Sequence, residues 1–222
     1  MVPNNNDITL QHDGIYPFTF VNKLLVFRGS TLNEGDELCM YNTTSSESVS
    51  LIKDLNAGIG SSSPLNITAA GHKIFFTATN AAGNDQLWIS NGTASGTKAL
   101  KTAVAGSKFS NLSYGNGLLI FSYRTGATGD ELWKTDGTAA GTVMIKDIYA
   151  GVPSSYPSFT YLNGSVSLLS AIDTRGKELW RTNGTSAGTV LIKNINNTTT
   201  ASSDPYVDDA AYLNGKLVLC CA

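Results

Sequence analysis

One unit recurs along this chain at nearly constant spacing, and it constrains the fold more than any other feature. Asp130-Glu-Leu-Trp-Lys-Thr-Asp-Gly-Thr-Ala-Ala-Gly-Thr142 continues into Val143-Met-Ile-Lys-Asp-Ile148. Lys177-Glu-Leu-Trp-Arg-Thr-Asn-Gly-Thr-Ser-Ala-Gly-Thr189 continues into Val190-Leu-Ile-Lys-Asn-Ile195. Asp85-Gln-Leu-Trp-Ile-Ser-Asn-Gly-Thr-Ala-Ser-Gly-Thr97 is the same unit, and Asp36-Glu-Leu-Cys-Met-Tyr-Asn-Thr-Thr44 is a decayed copy followed by Leu51-Ile-Lys-Asp-Leu55. Anchored on Leu38, Leu87, Leu132 and Leu179, the intervals are 49, 45 and 47 residues. Repeats of this period mark propellers and solenoids, whose units bury their apolar faces only against their neighbours.

A second element alternates with the first. Phe159-Thr-Tyr-Leu-Asn-Gly-Ser-Val-Ser-Leu168 matches Leu112–Phe121 and Ala210–Leu219, with looser copies at Phe18–Phe27 and Ile67–Phe76. Asn116-Gly117, Asn163-Gly164 and Asn214-Gly215 lie between apolar runs, the strongest short-range hairpin signal, because both turn residues need positive φ. In the first element, Asp136 or Asn183 can accept hydrogen bonds from the following amides while glycines relieve the turn. Two hairpins make a four-stranded antiparallel sheet, and about 40–50 residues is the size of a propeller blade.

The strands carry apolar residues on both faces. Leu132-Trp133 and Leu179-Trp180 are consecutive and must point to opposite sides of a strand. A sheet resting on a core would bury one of each pair, whereas stacked blades bury both. The expected fold is therefore all-β, a five-bladed β-propeller of four-stranded antiparallel blades. The single domain 1–222 divides into units of approximately 14–62, 63–107, 108–154, 155–205, and 206–222 plus 1–13. Five units of 47 exceed the 222 residues present by about one strand, so the last blade is incomplete. Asp7-Ile-Thr-Leu10 resembles an outer strand and is expected to close it, removing an exposed edge. The rivals are a fragment of a longer array and a ring completed by a partner chain.

Net charge is −2 and no basic block exists, which excludes a nucleic-acid or anionic-membrane footprint. No apolar stretch approaches the ~18 residues of a membrane helix. Met1-Val-Pro-Asn-Asn-Asn lacks the pattern of a signal peptide, so the chain either stays inside or begins after a removed leader. Cys39, Cys220 and Cys221 are an odd set, read as buried thiols rather than a disulfide framework or metal ligands.

The Glu-Leu-Trp-Lys-Thr-Asp-Gly-Thr-x-x-Gly-Thr unit resembles a repeat of large secreted bacterial surface proteins, the hyalin-like repeats. That resemblance implies an extracellular or cell-surface location and no assigned biochemical activity. The arrangement of five units is similar to the tachylectin type of five-bladed sugar-binding propeller, in size rather than in motif, so no site residue carries over. The first copy departs from the pattern, with Cys39 where Trp stands elsewhere.

Catalysis has poor raw material. His12 and His72 do not repeat, and His72 occupies a hairpin turn. Asp36, Glu37, Asp130 and Glu131 recur as parts of the repeat rather than as a pair flanking a cleft. The expectation is no enzyme and no cofactor, with Ca²⁺ in the Asx-rich turns the one ion considered. Trp88, Trp133 and Trp180, one per unit beside a core Leu, are expected in inter-blade packing. Asn-x-Ser/Thr sequons at Asn42, Asn66, Asn91, Asn111, Asn163, Asn183, Asn196 and Asn197 are largely a by-product of turn chemistry, and matter as glycosylation sites only on a secretory route.

In an up-and-down blade the first and third turns share one rim, which places the tight turns together. The longer segments fall on the other rim: Arg28–Glu34, Thr79–Asn84, Arg124–Gly129 and Asp173–Gly176 within blades. Ala57–Pro64, Ala105–Ser110, Ala150–Pro157 and Asn196–Asp204 run between blades. Such variable loops on a rigid scaffold are where binding residues concentrate. The candidate ligand-binding residues are Arg28, Asp85, Arg124, Asp130, Tyr156, Asp173 and Arg175. The expected function is carbohydrate binding, lectin-like and multivalent, with glycans or glycoproteins as partners. A structural or adhesive module that contacts proteins or self-associates is the alternative, and neither nucleic acid nor membrane insertion is expected.

Overall fold

The computed structural model describes residues 19–44, 49–163, 166–194, 205–213 and 216–221. The expected closing strand at Asp7–Leu10, His12, the connector Asn196–Asp204 and the glycines of the Asn163-Gly164 and Asn214-Gly215 turns lie outside them. The described chain is all-β and packs as two compact units, Met1–Lys108 and Phe109–Ala222.

The first unit holds two antiparallel four-stranded sheets in strict chain order. One comprises β1 (Thr19–Val21), β2 (Leu24–Thr31), β3 (Gly35–Asn42) and β4 (Val49–Lys53). The other comprises β5 (Leu65–Ala70), β6 (Lys73–Thr79), β7 (Asp85–Ser90) and β8 (Lys98–Thr102). The second unit repeats the plan with β9 (Phe109–Gly115), β10 (Leu118–Thr125), β11 (Gly129–Thr135) and β12 (Val143–Lys146). It continues with β13 (Ser158–Asn163), β14 (Val166–Asp173), β15 (Gly176–Thr182) and β16 (Val190–Lys193). A fifth, two-stranded sheet follows, β17 (Pro205–Leu213) paired with β18 (Lys216–Cys221).

The third strand of each four-stranded sheet is buried on both faces, as the consecutive apolar pairs require. Leu38 and Cys39, Leu87 and Trp88, Leu132 and Trp133, and Leu179 and Trp180 are all buried. In the first unit one core joins Val26 and Leu38 of the first sheet to Ile74, Phe76 and Trp88 of the second. In the second unit Ile120, Leu132 and Ile145 of one sheet pack with Leu169 and Trp180 of the next. Cys39 is a fully buried free thiol, and burial pushes its pKa up to about 12, which keeps it protonated and unreactive.

A bulge recurs at one place in all four complete sheets, between the Leu and the following Trp or Cys. It inserts one extra residue into the outer strand and re-aims it. In β4 and β12 the extra residue is Ile52 or Ile145, and both are thereby turned into the core. The lysine that follows reaches the neighbouring sheet. Lys53 Nζ lies 5.7 Å from the Trp88 ring and donates to the Thr97 carbonyl at 3.0 Å. Lys146 does the same with Trp180, at 5.9 Å, and the Thr189 carbonyl, at 2.8 Å.

The tight turns follow their residues. Asn116 (φ 51°) and Gly117 (φ 78°) both lie in the left-handed region, as a two-residue hairpin demands. In the longer turns, Oδ1 of Asn91, Asp136 and Asn183 accepts from the amide and hydroxyl of the Thr two residues on. That side chain lies against Gly96, Gly141 or Gly188, where any Cβ would overlap it. His72 is an exposed turn residue whose Nδ1 lies 2.6 Å from Asn22 Oδ1 in the adjacent sheet.

Candidate functional site

The ends of β2 and β3, and of β10 and β11, meet the connectors Asp54–Pro64 and Asp147–Pro157. Their organiser is the Glu of the repeated unit. Glu131 is fully buried, and its carboxylate accepts from Ile148 N (2.7 Å), Ser155 N (2.9 Å) and Ser155 Oγ (2.7 Å). Glu37 repeats this with Leu55 N (2.9 Å), Ser62 N (2.9 Å) and Ser62 Oγ (2.6 Å). Burial outweighs these hydrogen bonds and holds both carboxyls above the usual Glu range. The connector is then tied forward into the next sheet, by Thr79 N to the Ser62 carbonyl (2.7 Å) and Ile172 N to the Ser155 carbonyl (2.8 Å). The acids are thus joints between sheets.

On this rigid base the sequence candidates sort into three groups. Arg124, Asp130 and Tyr156 come together. Arg124 and Asp130 are directly paired across β10 and β11, with Nε 3.8 Å from Oδ2, and the Arg124 side chain is half exposed. Ser154 Oγ accepts from Asp130 N at 2.9 Å and donates to Asp130 Oδ2 at 3.3 Å. The Asp130 carbonyl accepts from Ser155 N and from Tyr156 N at 3.2 Å. Tyr156 has φ 45°, a conformation that is costly for a bulky residue, and the residue is 57% exposed. The result is a guanidinium, a carboxylate, a hydroxyl and an open aromatic ring on one edge.

The first sheet carries a partial counterpart. Arg28 is ion-paired with Asp36, and Asp36 N donates to Ser61 Oγ at 3.0 Å. Ser63 holds the place of Tyr156, with φ 47°, so the aromatic ring is missing. Arg28 reaches Asp36 from two positions further from the turn than Arg124 does, since Ser30 is the residue opposite Asp36. The remaining candidates do other things. Asp85 lies opposite Thr79, and its carbonyl accepts from Ala103 N at 2.8 Å. Asp173 and Arg175 close the β14–β15 turn on each other, with Arg175 Nη2 2.5 Å from Asp173 Oδ2.

Ser154 and Ser155 escaped the sequence reading. Their signal was present in the parallel connectors Asp54-Leu-Asn-Ala-Gly-Ile-Gly-Ser-Ser-Ser-Pro64 and Asp147-Ile-Tyr-Ala-Gly-Val-Pro-Ser-Ser-Tyr-Pro157. The tight-turn side offers less. A depression of about 170 Å³ beside Val166, Arg181, Thr182, Asn183 and Gly188 is smaller than the roughly 300 Å³ of small-molecule pockets. Among the described residues no group of three or more His, Cys, Asp or Glu is placed to hold a metal ion, and no helix is long and apolar enough to cross a membrane.

No family model and no curated protein matches the chain in sequence. Solved structures match it in shape. A prolyl endopeptidase structure aligns with TM-score 0.53 and 12% identity, over 80% of this chain and 27% of that one. A puromycin-hydrolysing peptidase of Mycobacterium tuberculosis aligns with TM-score 0.51 and 13% identity, over 90% and 32%. The fold is a β-propeller. Prolyl oligopeptidase B of Galerina marginata, in its apo form, aligns with TM-score 0.51 and 11% identity, over 92% of this chain and 30% of that one. The chain therefore spans about a third or less of these peptidases, and at such identities the likeness concerns the blades alone.

Proposed function

We propose that the chain is a non-enzymatic binding module that recognises carbohydrate at the Arg124–Asp130–Ser154–Tyr156 edge. The observation that carries this reading is Tyr156, an aromatic ring left open to solvent by a left-handed backbone beside a carboxylate–guanidinium pair. A sugar ring offers an apolar C–H face for such an aromatic surface and vicinal hydroxyls for a neighbouring acceptor and donor. The Ser154 and Glu131 hydrogen bonds hold the pair in place before any ligand arrives, which lowers the ordering cost of binding. Extracellular placement, implied by the hyalin-like resemblance of the repeat unit, belongs to the same proposal.

A glycan array with the purified chain tests this. Retained sugars should be lost with Tyr156→Ala and with Arg124→Ala, while melting temperatures stay near that of the parent. Silence across the array, or retention that ignores both substitutions, would overturn the reading. A second reading, contact with proteins or with further copies of this chain, rests on exposed apolar loop residues. Leu32 and Ile59 in the first unit and Val152 in the second are 72%, 82% and 68% exposed. Concentration-dependent sedimentation that Ile59→Ser and Val152→Ser abolish would favour it.

A further inference from the structure

The three described Asn-Gly pairs of this chain, Asn91-Gly92, Asn116-Gly117 and Asn183-Gly184, form two chemically different kinds of turn. An Asn-Gly pair can convert spontaneously. The main-chain nitrogen of the glycine attacks the Asn Cγ and loses its proton to solvent, the Cγ–Nδ2 bond breaks, and ammonia leaves. The resulting succinimide then adds water and opens to aspartate or isoaspartate. The attacking N–H must be free and the carboxamide able to swing toward it.

At Asn91 and Asn183 neither condition holds. Gly92 N donates to Ser90 Oγ at 3.0 Å and Gly184 N to Thr182 Oγ1 at 3.1 Å. The Asn91 Oδ1 is fixed by Thr93 N at 3.1 Å and Thr93 Oγ1 at 2.7 Å, and the Asn183 Oδ1 by Thr185 at 3.0 Å and 2.7 Å. The middle copy of this turn already holds the acid. Asp136 makes the same bonds to Thr138, at 2.9 Å and 2.7 Å, and Gly137 N donates to Thr135 Oγ1 at 3.1 Å. A carboxylate is therefore tolerated there, so what protects Asn91 and Asn183 is the held geometry and not intolerance of the product.

Asn116 is the opposite case. It is exposed at the tip of the β9–β10 hairpin, and the space around the Gly117 Cα is open. Among the described residues no hydrogen bond holds the Asn116 carboxamide or the Gly117 amide. We infer that, among the described Asn-Gly pairs, Asn116 is the one that deamidates in the folded chain, and that its hydrogen-bonded counterparts Asn91 and Asn183 are protected until the protein unfolds. Conversion adds one negative charge at this tip. The isoaspartate product also lengthens the main chain of a two-residue turn that sets the Gly115–Leu118 register.

The test is peptide mapping by mass spectrometry of the intact protein held at mildly alkaline pH. Asn116 should convert about tenfold faster than Asn91 or Asn183, the factor expected if one hydrogen bond of ordinary strength must open before attack. In urea the three rates should converge. Ser90→Ala should raise the Asn91 rate toward that of Asn116, with Asn183 as internal control. An intact Asn116 in the folded protein, or equal folded-state rates at the three positions, would overturn the inference. The folded-versus-urea comparison decides even if Ser90→Ala does not fold.

Discussion

Replacing Glu131 by Ala should loosen a joint between sheets while leaving every apolar core residue in place. The arithmetic follows from its three hydrogen-bond donors. Ile148 N has the Glu131 carboxylate as its partner, and Ile148 is buried, so removal orphans that N–H. Ser155 N and Ser155 Oγ keep a second acceptor, the Asp130 carbonyl, at 3.0 Å and 3.1 Å. The orphan costs about 1–3 kcal/mol and the two weakened bonds about 1 kcal/mol each, while releasing a buried carboxylate returns about 1–2 kcal/mol. About 1–4 kcal/mol remains, a sizeable fraction of the 5–15 kcal/mol typical of a domain. Urea unfolding followed by tryptophan fluorescence reads this as a lower midpoint at unchanged slope.

The second sheet supplies the control. Gln86 stands at the equivalent position, and its Nε2 donates to Thr102 Oγ1 at 2.8 Å on the exposed surface. Gln86→Ala should therefore cost no more than about 0.5 kcal/mol. Equal midpoints for the two variants, or a Glu131→Ala loss below about 1 kcal/mol, would refute the idea that the buried carboxylate is a joint.

Three further outcomes follow from the geometry of the turns and joints. Gly188→Ala should cost about 1–3 kcal/mol, because its Cβ would overlap the Asn183 side chain, whereas Gly126→Ala, with open space around it, should be neutral in thermal melts. Stability should fall as pH rises through the window between the ordinary Glu value and the raised values of Glu37 and Glu131. There the native state holds more protons than the unfolded chain, and the double change to Gln should flatten the slope of melting temperature against pH. Toward acid the sign reverses for Asp136. Its hydrogen bonds from Thr138 depress its pKa, so its contribution is complete above the ordinary Asp value and is lost as pH falls through the folded one. Asp136→Asn should remove that acid-side loss.

Particular residues show how far the chain could be read unaided. The Leu-Trp pairs announced sheets covered on both faces, since adjacent residues on a strand cannot share a side, and their burial follows. Asn116-Gly117 announced a turn that needs two left-handed residues, and both φ values are positive. The grouping of Arg124, Asp130 and Tyr156 was half legible. Strand pairing puts Arg124 opposite Asp130, but Tyr156 lies on another connection and joins them through the Asp130 carbonyl. Arg28, Asp173 and Arg175 read alike as loop charges, yet each is engaged within its own hairpin.

The sequence alone determined what local chemistry can determine: which segments pair, where they turn, how often the pattern repeats, and that each sheet must be covered on both sides. Tertiary structure decided the matters that depend on residues far apart in the chain. The bulge after the repeated Leu, which turns Ile52 and Ile145 inward, exists only once two strands are in register. Glu131 looks like any surface acid until the folded connector brings Ser155 against it. Hydrogen bonds and burial act through space, and a linear pattern records only the residues that happen to be close along the chain.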